Sequence, residues 1–175
     1  MRSGRESGIF VRRGDRFLVM HRSPPDAYWS IVAGVVEAHE SFADAARREL
    51  LEETGLDVAP QDLRRRQRYV VPAELAHEYA PGVREVRIEN FVIDVPTDWE
   101  PVLNEEHDDY RWLAASEAIA LVRWAETKEI LALLATPASA PRPPARPSRS
   151  SSSSSGDPGG SSPPRARRAR SARRH

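Results

Sequence analysis

The sequence predicts an α+β domain in which helices cover a sheet as α/β/α layers, and three observations lead there. Short runs rich in β-branched and aromatic residues recur from Ser7 to Leu113. Two amphipathic stretches with helical spacing stand among them, one mid-chain and one ending near Leu134. Beyond that point the composition collapses into Pro, Ser, Arg and Gly. Strands mixed with two well-separated helices bury their apolar faces most simply as packed layers.

The elements follow in order. Ser7–Val11 and Arg16–His21 read as two strands around the turn Arg13-Gly14-Asp15. Ser23-Pro24-Pro25-Asp26 breaks the chain, and Tyr28–Val32 is a compact strand-like run before Gly34. A helix comes next. Ser41 is its N-cap, with Asp44 three residues on, and Phe42, Ala46, Leu50 and Leu51 form its apolar stripe. Gly55 stops it. Leu56–Val58 begins a further strand, Arg66–Val71 continues the β pattern after a polar turn, Val86–Val95 is a central strand, and Tyr110–Leu113 is a short one. Ser116 caps a last helix running to about Leu134.

This organisation divides the chain into a folded domain, 1–136, and a tail, 137–175. The tail includes the serine run Ser150–Ser155 and buries too little apolar surface to offset the entropy of ordering, so it is expected to be disordered. The overall charge of zero hides an asymmetry. The domain holds seventeen basic and twenty-five acidic residues, a net of −8, whereas the tail has nine arginines against Asp157. An acidic globule is a poor non-specific binder of nucleic acid but suits divalent cations. Nucleic acid is expected only at the Arg-rich tail, if anywhere. Cysteine is absent, which excludes disulfides, thiolate metal sites and a cysteine nucleophile. No stretch is long and apolar enough for a membrane span, and Met1–Gly8 lacks a signal-peptide core, so the expectation is a cytoplasmic protein.

The chemistry concentrates in Gly34–Leu56. On a helix, Glu49, Glu52 and Glu53 stand at i, i+3 and i+4 and share a face. Like charges at that spacing repel. A solvated acidic face is the plain explanation for most Glu-rich helices. The alternative is that hard oxygen donors, with no Cys or His among them, gather Mg²⁺, with Mn²⁺ as a substitute. Such a cation neutralises charge on a pyrophosphate and acidifies an attacking water, whose proton a nearby Glu can take.

The spacing decides between the two. Gly34, Glu40, Arg48, Glu49, Leu50, Glu52, Glu53, Gly55 and Leu56 reproduce the signature of the Nudix hydrolase family without a departure. Chance agreement is roughly 10⁻⁹ per starting point at ordinary residue frequencies. The chain therefore resembles that family. The resemblance implies an α+β, Nudix-type α/β/α sandwich with a mixed sheet, and hydrolysis of a phosphoric anhydride bond. It implies that Glu49, Glu52 and Glu53 bind the cation, with Glu53 or Glu52 taking the catalytic proton. It also implies that the Gly34 carbonyl contacts metal, that Arg48 holds the glutamates by pairing with Glu40 or Glu52, and that Glu40 and Gly55 serve the motif structurally.

Outside the motif the chain resembles the bacterial pyrophosphohydrolases of dihydroneopterin triphosphate, which act early in folate biosynthesis. Trp29, His77, the run Tyr79–Val83, Glu106-His107, Tyr110, Trp112-Leu113 and Trp124 carry this likeness. It implies a further metal ligand at Glu106, and Tyr28, Trp29, Arg22, His77 and Tyr79 as substrate-binding candidates. Trp112 and Trp124 read as core residues, Trp29 equally as core or pocket wall, and His77 and His107 more readily as surface histidines than as acid–base or hydrogen-bonding groups. The expected partner is a small-molecule polyphosphate. Two alternatives stay open at this stage: a general house-cleaning pyrophosphatase for (d)NTPs, and a non-catalytic nucleotide-sensing module with a nucleic-acid-binding tail. The pattern sets no oligomeric state.

Overall fold

The computed structural model describes residues 1–135. The tail, 137–175, and the nucleic-acid contact expected of it lie outside the described residues.

Among the described residues, seven strands form one mixed sheet. β1 (Arg5–Arg13) and β2 (Arg16–Arg22) form a hairpin, but their pairing holds only next to the turn, at Arg12↔Phe17 and Arg13↔Arg16. The two strands then splay apart. β4 (Val32–Val35) pairs with the first half of β1, while β3 (Trp29–Ser30) and β7 (His107–Ala114) flank β2. On its other side β1 runs parallel to β6 (Glu85–Asp94), and β5 (Gln61–Val70) closes the sheet antiparallel to β6.

The period-two alternation of side chains builds two cores, one on each face. Phe10, Phe17, Val19 and Val92 point to one face and pack against Ala118, Val122, Ile130 and Leu131 of α2 (Ala115–Leu121), α3 (Ala125–Ala135) and the residues between them. Ile9, Val11, Leu18, Met20 and Phe91 point to the other and meet Ala46 and Leu50 of α1 (Phe42–Thr54). Most of these residues are fully buried, and each large one stabilises the fold by about 1.5–3 kcal/mol. This is the α/β/α sandwich expected.

Both ends of α1 are as predicted. Ser41 Oγ accepts the Asp44 N–H at 3.1 Å, and the Asp44 carboxylate accepts the Ser41 N–H at 3.3 Å. Gly55 ends the helix at φ 74°, a left-handed conformation that glycine adopts without a Cβ penalty.

Four expectations are corrected. Leu56–Val58 is a loop, and β5 begins at Gln61. Pro60 lacks an N–H to donate to a ladder, and Asp57 is turned out to pair with Arg47 at 2.8 Å. Leu51 is 44% exposed and so lies off the apolar stripe of α1. The single last helix is two. Val122 is extended at ψ 147°, and the Arg123 N–H leaves the helical ladder to donate to the Trp29 carbonyl at 3.1 Å. Ser116 is not a cap; α2 starts at Ala115, with the Glu117 carboxylate accepting the Ala114 N–H. A short 3₁₀ segment, Ala73–Glu78, precedes the Tyr79–Val83 loop. No helix among the described residues is long and apolar enough to cross a membrane.

Candidate active site

α1 lies under the edge strand β4, and the contact between them is set by an absent side chain. A Cβ at Gly34 would overlap the carboxylate of Glu49. Glycine therefore lets the helix bring Glu49 directly against the backbone of β4. One turn further, Glu53 Oε2 accepts the Ala33 N–H at 3.3 Å, from the residue next to Gly34.

Arg48 fastens the rest of the motif. Its Nε and Nη2 donate to the two carboxylate oxygens of Glu40, at 3.0 and 3.1 Å. Nη2 also reaches the Val35 carbonyl at 2.9 Å, while Nη1 donates to Glu49 at 2.7 Å and Glu52 at 3.0 Å. One planar guanidinium thus ties strand, loop and helix, a geometry that lysine could not match. Glu40 in turn accepts the Glu37 N–H at 3.0 Å, which pins the connecting loop. The hydrogen bonds to Glu40 are the chief reason the Arg48 guanidinium holds its proton even more tightly than usual.

Glu53 is 3% exposed. Burial pushes its carboxyl well above the usual carboxylate range, and the negative charge of Glu49 adds to the push. Glu49 is raised as well, by burial first, with Glu52 and Glu106 opposing its ionisation. Among the described residues no three His, Asp or Glu side chains are already drawn into a closed metal cage. The donor set nevertheless fits a hard divalent cation: crowded, desolvated carboxylates whose mutual repulsion a 2+ charge would relieve.

Glu106 comes from the loop before β7. Its carboxylate meets Arg22 Nη1 at 3.0 Å, and its carbonyl accepts the Ser23 N–H at 2.8 Å. The loop is thereby stitched to the end of β2, where the β2–β7 register shifts between His21 and Arg22. Arg22 also contacts Asp26 at 3.2 Å.

Glu49, Glu53, Glu106, Arg22 and the Gly34 backbone line one end of a cleft of about 1500 Å³. Its other reaches are walled by aromatic and polar groups. Tyr28 and Trp124 stand edge to face, ring centres 5.9 Å apart, with the Arg123 guanidinium 5.2 and 4.8 Å from their centres. Tyr79 is buried, and its hydroxyl lies 2.9 Å from that of Tyr69, which in turn contacts Glu6. One wall therefore offers flat faces for a ring, and one end offers carboxylates for a cation on a polyphosphate.

Three sequence candidates stand apart from this cleft. Glu52 is half-exposed and turned to Arg48, because the i+3 position points further round the helix than i+4. Trp29 packs against the core beside α2 and α3 and lies under Arg111, 4.4 Å from the ring centre. His77 is exposed on the 3₁₀ segment. Two further readings reverse. Trp124, read as core, is 39% exposed and faces the cleft. His107, read as a surface histidine, is buried beside Asn104 and lines the cleft, with burial lowering its pKa.

Sequence reasoning missed Glu6, Gln67, Tyr69 and Asn90, all of which line the cleft. Asn90 left a signal: it interrupts the apolar run Val86–Val95 at a position that period two turns inward. Glu6 left none, since it falls in the polar N-terminal stretch.

The Nudix domain family matches residues 2–134. The chain is 32% identical over 128 residues to the dihydroneopterin triphosphate diphosphatase of Escherichia coli K12, covering 70% of this chain and 85% of that one. It is 31% identical over 113 residues to phosphatase NudJ of Escherichia coli O1:K1, covering 62% and 67%. The solved structure of the E. coli dihydroneopterin triphosphate pyrophosphohydrolase superposes with a TM-score of 0.70 at 28% identity, covering 77% of this chain and 96% of that one.

Proposed function

The chain belongs to the Nudix hydrolase family, and from that membership we propose that it is a divalent-cation-dependent pyrophosphohydrolase of a nucleoside triphosphate-like substrate. Dihydroneopterin triphosphate is the first substrate to test, and a monophosphate and diphosphate are the products. A cytoplasmic place and a part in folate biosynthesis belong to the same proposal. The observation that carries it is one cleft holding Glu49, Glu53 and Glu106 at one end and Tyr28, Trp124 and Arg123 along another wall.

Glu49, Glu53 and Glu106, with the Gly34 carbonyl, are the groups that would hold Mg²⁺ or Mn²⁺. When bound, the cation supplies charge neutralisation on phosphate oxygens and a lowered pKa for the attacking water. The chain's own groups do the rest. Glu53 uses Oε2 to accept the Ala33 N–H, which leaves Oε1 to take a proton as the water oxygen bonds to phosphorus and the bridging P–O bond breaks. Arg22, held at the rim by Glu106 and Asp26, is placed to meet the departing diphosphate. Arg48 acts through the residues it holds: it fixes Glu49 and Glu52 on α1 and, through Glu40, ties the loop before α1 to the helix. Tyr28 and Trp124 receive the ring, and Tyr79 shapes the floor beside Tyr69.

The test is a substrate panel with Mg²⁺, read as diphosphate release from dihydroneopterin triphosphate, dATP and ADP-ribose. Fastest turnover of dihydroneopterin triphosphate is expected. Comparable rates for dihydroneopterin triphosphate and dATP would favour general house-cleaning, and fastest turnover of ADP-ribose would overturn both readings.

A further inference from the structure

We propose that Asn90 selects the substrate's ring, presenting its Oδ1 at the cleft floor as an acceptor for a ring N–H. The matching ligand is a ring with an N–H beside an exocyclic amino group, the 2-amino-4-oxo edge shared by guanine and pterins. The proposal rests on the pyrophosphohydrolase reading and deepens it.

The orientation of the amide follows from a relay that starts on α3. On α3, the Glu126 carbonyl and the Glu129 carboxylate are acceptors only. Gln67 therefore turns its Nε2 toward them, at 3.1 and 2.8 Å. That choice points Gln67 Oε1 at Asn90, which must answer with Nδ2, at 2.9 Å. The other proton of Nδ2 goes to the Arg65 carbonyl at 3.2 Å. Both donors are then used, and Oδ1 faces the opposite way. An amide whose O and N could otherwise be exchanged is fixed by its partners.

Oδ1 has no hydrogen-bonded donor among the described residues. Asn90 is 2% exposed, yet it lines the cleft. The opening above Oδ1 is made by Gly8, its register partner on β1, where a Cβ would stand 3.0 Å from Oδ1. Glu6, two residues along β1 on the same sheet face, adds a second acceptor, already held by Arg2 at 2.6 Å. Glu6 also accepts from the Tyr69 hydroxyl at 3.3 Å, which leaves Oδ1 as the open acceptor for a donor on the ring edge. A buried acceptor left unpaired by the wrong ring gives strong discrimination, because its desolvation is then uncompensated.

The test compares kcat/KM of the full chain for dGTP, which offers adjacent ring and amino donors, with that for dATP, which offers a ring lone pair at the same place. The unsubstituted protein should prefer dGTP by at least about tenfold. Asn90→Ala should lower the dGTP/dATP ratio about tenfold, and Gly8→Ala, which covers Oδ1 without removing any hydrogen bond of the relay, should lower it in the same direction. Circular dichroism melts show whether either variant folds. An unchanged ratio in the folded variants, with both substrates losing equally, overturns the proposal. Should neither triphosphate be hydrolysed, turnover of dihydroneopterin triphosphate decides the hydrolytic reading, and NMR titration with guanosine and adenosine reads the ring site alone. Tighter guanosine binding that weakens in Asn90→Ala supports the assignment; equal binding of the two nucleosides overturns it.

Discussion

Arg48 and Glu40 lie eight residues apart and meet through a two-pronged pair, Nε to Oε1 at 3.0 Å and Nη2 to Oε2 at 3.1 Å. That pair joins the loop before α1 to the helix carrying Glu49 and Glu53, so the carboxylates hold their place only as well as the loop does.

Arg48→Lys should therefore keep the charge and lose the geometry. An ammonium cannot serve Glu40, Glu49, Glu52 and the Val35 carbonyl together. We expect kcat/KM to fall roughly 10–100-fold, the range typical for groups that orient metal ligands, with a smaller change in melting temperature. Steady-state kinetics at saturating Mg²⁺ checks this. Wild-type turnover in Arg48→Lys would show that the fork is dispensable.

Gly34→Ala should act at the carboxylate itself. The new Cβ would overlap the Glu49 carboxylate, which must move. A displacement of about 1 Å costs on the order of 10²-fold in rate. Activity measured beside a circular dichroism spectrum separates this from unfolding; a folded variant with full activity would contradict the close approach of α1 to β4.

Glu53 gives a stability prediction with a definite sign. Its folded pKa lies above its unfolded value because the charged form is buried and faces Glu49. A carboxyl raised in this way contributes stability that is fully present below the unfolded carboxyl pKa of about 4.3 and is lost as pH rises through the folded pKa. In EDTA, Glu53→Gln should thus melt higher than the unsubstituted protein at pH 8, by about 3–4 °C if removing the buried charge is worth roughly 1 kcal/mol. The gap should shrink as pH falls toward 5. A Gln variant that melts lower at pH 8, or a gap that widens on acidification, would reverse the assignment. Differential scanning calorimetry at several pH values measures it.

The sequence made the layers and the helix legible because period-two and period-3.6 patterns survive without knowledge of the contacts. Ile9, Phe10 and Val11 are visible as an unbroken apolar run, and Ser41 with Asp44 is visible as a cap. Gly34, Arg48, Glu49 and Glu53 were legible because their mutual spacing is itself the geometry of one helix meeting one strand. What failed was direction and long-range partnership. Glu52 shares the acidic composition of its neighbours, but one residue of helical phase turns it to Arg48. Trp124 left its expected place in the core because the break at Val122, bonded through Arg123 to Trp29, depends on a contact across more than ninety residues of chain. Asn90 acquires meaning only through Gln67 and α3, three elements that sequence order does not join.

The central claim is that Glu49 and Glu53 gather a divalent cation against a polyphosphate, and one assay meets it directly. Diphosphate release from dihydroneopterin triphosphate is followed for the full chain and for Glu53→Gln, each with Mg²⁺ and with excess EDTA. The account predicts turnover by the unsubstituted protein with Mg²⁺, its loss in EDTA, and a fall of roughly 10²–10⁴-fold in Glu53→Gln. Equal turnover in EDTA, or an unimpaired Gln variant, would contradict it.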